Sequence, residues 1–85
     1  MKENTRLPVM AIPNPTTTKT WINLVQKTEL VEYWLLNAVG DCVQNNSIKA
    51  NNGGFWLNVE QLPKGLYVLK LKLGTQLTTL KILIM

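Results

Sequence analysis

The last apolar run of this chain constrains its folding most. From Tyr67 to Leu73 the apolar residues Tyr67, Leu69, Leu71 and Leu73 take odd positions and Lys70 and Lys72 even ones; after Gly74 the better apolar set is Thr78, Leu80, Ile82 and Ile84, with Lys81 opposed. Side chains alternate between the faces of a strand, so each run has one face to bury and one to wet. An odd set and an even set share one face of an antiparallel hairpin only if the loop has even length. Gly74-Thr75 supplies two residues with glycine first, as a type II′ turn prefers, and a four-residue loop from Gly74 to Leu77 is the alternative. Either register places Lys81 on the outer face with Lys70 or Lys72, giving a small basic patch. The simplest role for those lysines is to solubilise the face and blunt an edge strand; recognition of a partner is the other.

The same alternation recurs upstream, where Val, Ile, Thr, Trp and Tyr sit in short runs broken by Gly, Pro and Asn clusters. Leu7 to Ile12 is expected as a first strand, ended by Pro13-Asn14-Pro15 because neither proline can donate to a ladder. Thr20, Ile22 and Leu24 alternate with Trp21, Asn23 and Val25, and Lys27-Thr28 closes that strand. Val31, Tyr33 and Leu35 share one side of the run from Leu30 to Leu36, which meets a turn at Asn37-Ala38-Val39-Gly40-Asp41. Cys42-Val43 is expected to resume as a return strand. Residues 44 to 54 read as an Asn-rich loop ending in Asn51-Asn52-Gly53-Gly54, with a brief strand at Ser47-Ile48-Lys49. Phe55, Leu57 and Val59 then alternate with Trp56, Asn58 and Glu60 before a turn at Pro63-Lys64-Gly65. The pattern is all-β and sandwich-like.

Composition narrows the chemistry. The 85 residues form one domain, and at this size only about 60–65% of the unfolded surface is buried, so most of the 46% hydrophobic residues must serve the core. No apolar run approaches the ~18 residues of a membrane helix, so no stable membrane insertion is expected. With no histidine, a lone Cys42 can neither form an internal disulfide nor complete a metal site, and it reads as a packed structural thiol. Glu3, Glu29, Glu32, Asp41 and Glu60 are dispersed, which argues against a carboxylate pair for acid/base work. No catalytic residue, metal or cofactor is expected. The net charge of +4 is spread along the chain without the dense basic stripe of a nucleic-acid binder.

Trp21, Trp34 and Trp56 each take the parity opposite to their strand's aliphatic set, which is unexpected for side chains that usually bury much area. They read either as an aromatic patch for a partner or a sugar, or as residues covered by the N-terminal segment, a loop or a neighbouring domain. An adhesion or carbohydrate-binding accessory module built on these tryptophans is therefore the alternative function.

Taken in order, Pro13-Asn14-Pro15-Thr16-Thr17, Thr20-Trp21-Ile22-Asn23-Leu24, Asn37-Ala38-Val39-Gly40-Asp41, Leu62-Pro63-Lys64-Gly65-Leu66-Tyr67-Val68-Leu69-Lys70 and a Lys81-bearing final strand resemble the type A C-terminal sorting domain of type IX secretion, from about Ile12 to Met85. The chain departs from that pattern at Ile12, Thr18 and Leu80. The resemblance implies an immunoglobulin-like antiparallel β-sandwich of about seven strands. It also implies a non-catalytic signal that directs a larger N-terminal cargo through the periplasm and outer membrane to the cell surface, where a sortase usually removes it. Its partners would be the outer-membrane translocation machinery, a shuttle protein and that sortase. On this basis residues 1–7 are expected to be the remnant of a cargo linker on an excised fragment, and 8–85 the sorting domain. Pro13, Asn14, Pro15, Gly65, Tyr67, Lys70, Lys72, Gly74 and Lys81 are the candidate recognition residues.

Overall fold

The computed structural model describes residues 9–24, 30–51 and 53–85. The expected linker 1–7, the strand start at Leu7-Pro8, and Val25, Lys27-Thr28 and Asn52 lie outside them. The described residues form seven strands: β1 (Val9–Ile12), β2 (Lys19–Leu24), β3 (Leu30–Leu36), β4 (Cys42–Lys49), β5 (Gly54–Asn58), β6 (Gly65–Leu73) and β7 (Gln76–Ile84). They pair into a three-stranded sheet of order β1-β2-β5 and a four-stranded sheet of order β4-β3-β6-β7, every pairing antiparallel. This is the sandwich architecture of an immunoglobulin-like fold.

The buried faces are those the alternation marks. Ile22, Leu24, Phe55, Leu57 and Val59 from one sheet meet Val31, Tyr33, Leu35, Tyr67, Leu69, Leu71, Leu73, Ile82 and Ile84 from the other in one core. Tyr33 and Phe55 stack across the gap with centroids 5.4 Å apart. In the final hairpin Leu73 pairs with Gln76, which selects the two-residue loop, and Gly74 takes the positive φ of 66° that the turn requires. Gly54 answers a different demand. A Cβ there would overlap the Ile22 carbonyl oxygen and lie 2.8 Å from the Trp21 ring, so only glycine lets β5 approach β2 this closely.

Two expectations need correction. Residues 44–46 are not loop: β4 runs unbroken from Cys42 to Lys49, registered from Leu36↔Cys42 to Leu30↔Lys49 past a bulge at Leu35/Leu36. Pairing overrides asparagine's low strand propensity, whose whole scale spans only about 1 kcal/mol, because the amides also find partners. Asn45 Nδ2 donates to the Tyr33 carbonyl (2.8 Å), the Tyr33 hydroxyl donates to Gln44 Oε1 (3.2 Å) and Gln44 Nε2 donates to the Asn58 carbonyl (2.8 Å). Burial pushes the Tyr33 phenol pKa up, with Asn46 partly opposing, so it remains a neutral donor. The second correction is Cys42, which is exposed rather than packed and whose thiol donates to the Gln44 carbonyl at 3.2 Å. It stands at the start of an edge strand, where no layer covers it.

Candidate recognition surface

The segment between β1 and β2 binds the outer flank of β7. Asn14 Nδ2 donates to the Lys81 carbonyl (2.9 Å), and the Leu83 amide donates to Asn14 Oδ1 (3.0 Å). One residue pair further on, the Thr16 amide donates to the Leu83 carbonyl (3.0 Å) and the Met85 amide to the Thr16 carbonyl (2.9 Å), a short parallel bridge. A planar amide carries a donor and an acceptor on one edge, so asparagine matches the N–H and C=O that alternate along a strand flank. The loop is held in turn by Thr20 Oγ1 donating to the Pro13 carbonyl (2.7 Å) and Thr16 Oγ1 donating to the Lys19 carbonyl (2.7 Å). Pro13 and Pro15, lacking amide hydrogens, frame the one residue whose side chain makes the contact.

Removing that side chain should be measurable. Asn14→Ala takes away two hydrogen bonds, and a loss of about 1–2 kcal/mol is expected. Deuterium exchange at the Leu83 amide should accelerate, while amides in the middle of β3 keep their rates. A Leu83 amide as protected as before would mean that the clamp contributes nothing.

The remaining candidates separate into core and surface. Tyr67 is buried and its hydroxyl donates to the Pro63 carbonyl at 2.6 Å, tying down the bend that leads into β6 at Gly65. Its place is in the framework. Lys70, Lys72 and Lys81 are exposed on the outer face of the four-stranded sheet, with Lys70 opposite Trp34 and Lys72 opposite Glu32 on β3, and Lys81 opposite Val68 on β6. The basic patch on the final hairpin therefore exists. Gly74 lies at its tip.

The three tryptophans do not converge. Trp21 and Trp56 are directly paired on the outer face of the three-stranded sheet, edge to face at 5.2 Å, with the Lys19 ammonium 4.6 Å from the Trp56 ring centre. Trp34 lies on the outer face of the opposite sheet. Trp56 is 55% exposed and Trp21 and Trp34 are half-buried. Trp56 also borders a cleft of about 560 Å³ between the β4 and β5 flanks, lined by amides of Gln44, Asn45, Asn46, Asn58 and Gln61. Among the described residues no group of three His, Cys, Asp or Glu side chains is placed to hold a metal ion, and no helix is long and apolar enough to cross a membrane.

Sequence reasoning missed the Asn14 contact with β7. Its partners lie 67 and 69 residues away, so no local signal betrays it. The family model described as "Secretion system C-terminal sorting domain" matches residues 10–85, from within β1 to the last described residue. No curated protein matches the chain.

Proposed function

Because the chain belongs to the family of C-terminal sorting domains of type IX secretion, we propose that it is a folded, non-catalytic address that takes an N-terminal cargo across the outer membrane to the cell surface. The outer-membrane translocation machinery and its shuttle protein read the address, and a sortase then removes it. The reading rests above all on the reach of the family match, which takes in both sheets, the Pro13-Asn14-Pro15 segment and the complete final hairpin. The hairpin is the surface for recognition, because Lys70, Lys72 and Lys81 point outward together while the residues between them build the core. Asn14 and Tyr67 act through the framework: one fixes the terminal strand and the other fixes the turn that starts the hairpin. Processing takes place in the chain preceding β1, outside the described residues.

The test is a reporter with its own export signal fused ahead of residues 1–85 in a type IX-competent cell. Surface display that depends on these residues is expected, and a reporter left in the periplasm would refute the proposal.

A further inference from the structure

The outer flank of β7 is divided. Lys81, Leu83 and Met85 turn main-chain groups toward Asn14 and Thr16, and strand geometry turns residues of the same parity the same way, so Leu77 and Thr79 present their amide and carbonyl groups outward too. Those groups of Leu77 and Thr79, with the Lys81 amide, have no hydrogen-bond partner among the described residues. Among the described residues β7 is the last strand of its sheet, so within them this stretch is an open edge that ends where the Asn14 clamp begins. The adjoining face is basic: Lys81 lies on β7 itself, Lys70 and Lys72 lie one strand inward, and Glu32 is the only carboxylate among the described residues of that face. A hollow of about 230 Å³ on the same face is lined by Trp34, Leu36, Lys70 and Leu77, and Leu77 is 66% exposed.

Building on the sorting function, we infer that an extended, acidic segment of a partner protein adds to this sheet as a fifth strand along Leu77–Lys81. Main-chain bonds to an open edge provide affinity that is blind to sequence, while alternate side chains provide choice. Here the choice falls on a carboxylate beside Lys81 and an apolar residue over Leu77. Lys70 and Lys72, within about a Debye length of ~8–10 Å, strengthen the attraction. The Asn14 clamp sets the register: an incoming strand can pair up to Lys81 and there meets a flank already taken.

Proline makes the edge testable without touching the core. The Thr79 amide points away from β6, so Thr79→Pro removes an outward donor and leaves the β6–β7 ladder whole. In the reporter fusion described above, Thr79→Pro should lower surface display roughly tenfold, as expected for losing a hydrogen bond and gaining a steric block at the docking edge. Thr79→Val, which keeps the amide, should display normally, and Lys81→Glu should fall with the proline variant. Failure of the unmodified fusion would refute the sorting function itself. Normal display by a Thr79→Pro domain with an unshifted melting curve would overturn the edge inference alone. Should Thr79→Pro melt below growth temperature, Leu77→Pro, nearer the strand start, and Lys81→Glu decide, and normal display by both is again fatal. Self-association of the isolated domain that Thr79→Pro abolishes would assign the edge to a second copy of this chain and overturn the acidic partner.

Discussion

Deleting Leu77 to Met85 should unfold the domain as well as abolish sorting. Stability for a chain of 85 residues is about 0.05–0.15 kcal/mol per residue, or roughly 4–13 kcal/mol in all. β7 contributes Ile82 and Ile84, buried to 0% and 2% exposure, and each stabilises by about 1.5–3 kcal/mol relative to an exposed side chain. Thr78 and half-buried Leu80 leave with them, as do the β6 pairings from Gly65↔Ile84 to Lys72↔Leu77. Loss of the strand also orphans Asn14 and Thr16 and bares the flank of β6, converting a closed core into an open apolar edge. The losses match the whole stability. Circular dichroism of the truncated domain should show no cooperative melt, and a transition near that of the intact domain would contradict this account.

The consequence reaches beyond stability, since truncation removes fold and recognition surface together. Loss of surface display after truncation therefore says nothing about which was read. Substitutions that separate the two are more informative, and alternation makes them easy to choose: on β7 even positions hold the core and odd positions face solvent with their amides outward.

That alternation is the part of the fold most legible in the sequence. Wherever an apolar residue recurs at every second position, as in Thr20-Ile22-Leu24, Val31-Tyr33-Leu35, Phe55-Leu57-Val59 and Tyr67 to Leu73, the buried face matches the marked one. Burial itself produces the signal, because a strand with one face in the core cannot hide its period. β4 lacks it. Its side chains are mostly exposed at a sheet edge, so it carries no apolar period, and its strand state comes from pairing to β3. The Asn14 clamp is illegible for another reason. A hydrogen bond between a turn side chain and a main chain 67 residues away depends on topology, and composition near Asn14 reports only that the chain turns. The tryptophans fall between these cases. Their outward parity was readable, but their distribution over opposite faces depends on which strands share a sheet.

Leu69→Ala is the counterpart of the truncation, because it weakens the core and leaves every outward residue in place. Leu69 is fully buried on β6, between Leu35 of β3 and Leu80 of β7, and no neighbour can move in without disturbing both ladders. A loss of about 3–4 kcal/mol is expected for such a cavity. In a domain of this size that lowers the melting temperature by roughly 10–30 °C. Surface display of a reporter carrying Leu69→Ala should then follow the melting curve, normal at low temperature and falling as the domain unfolds. The open edge of β7 exists only while β6 and the Asn14 clamp hold that strand, so a folded address must fail when the core does. Display that stayed constant through the melt would place recognition in the linear motifs from Pro13 to Tyr67 instead, since those survive unfolding unchanged.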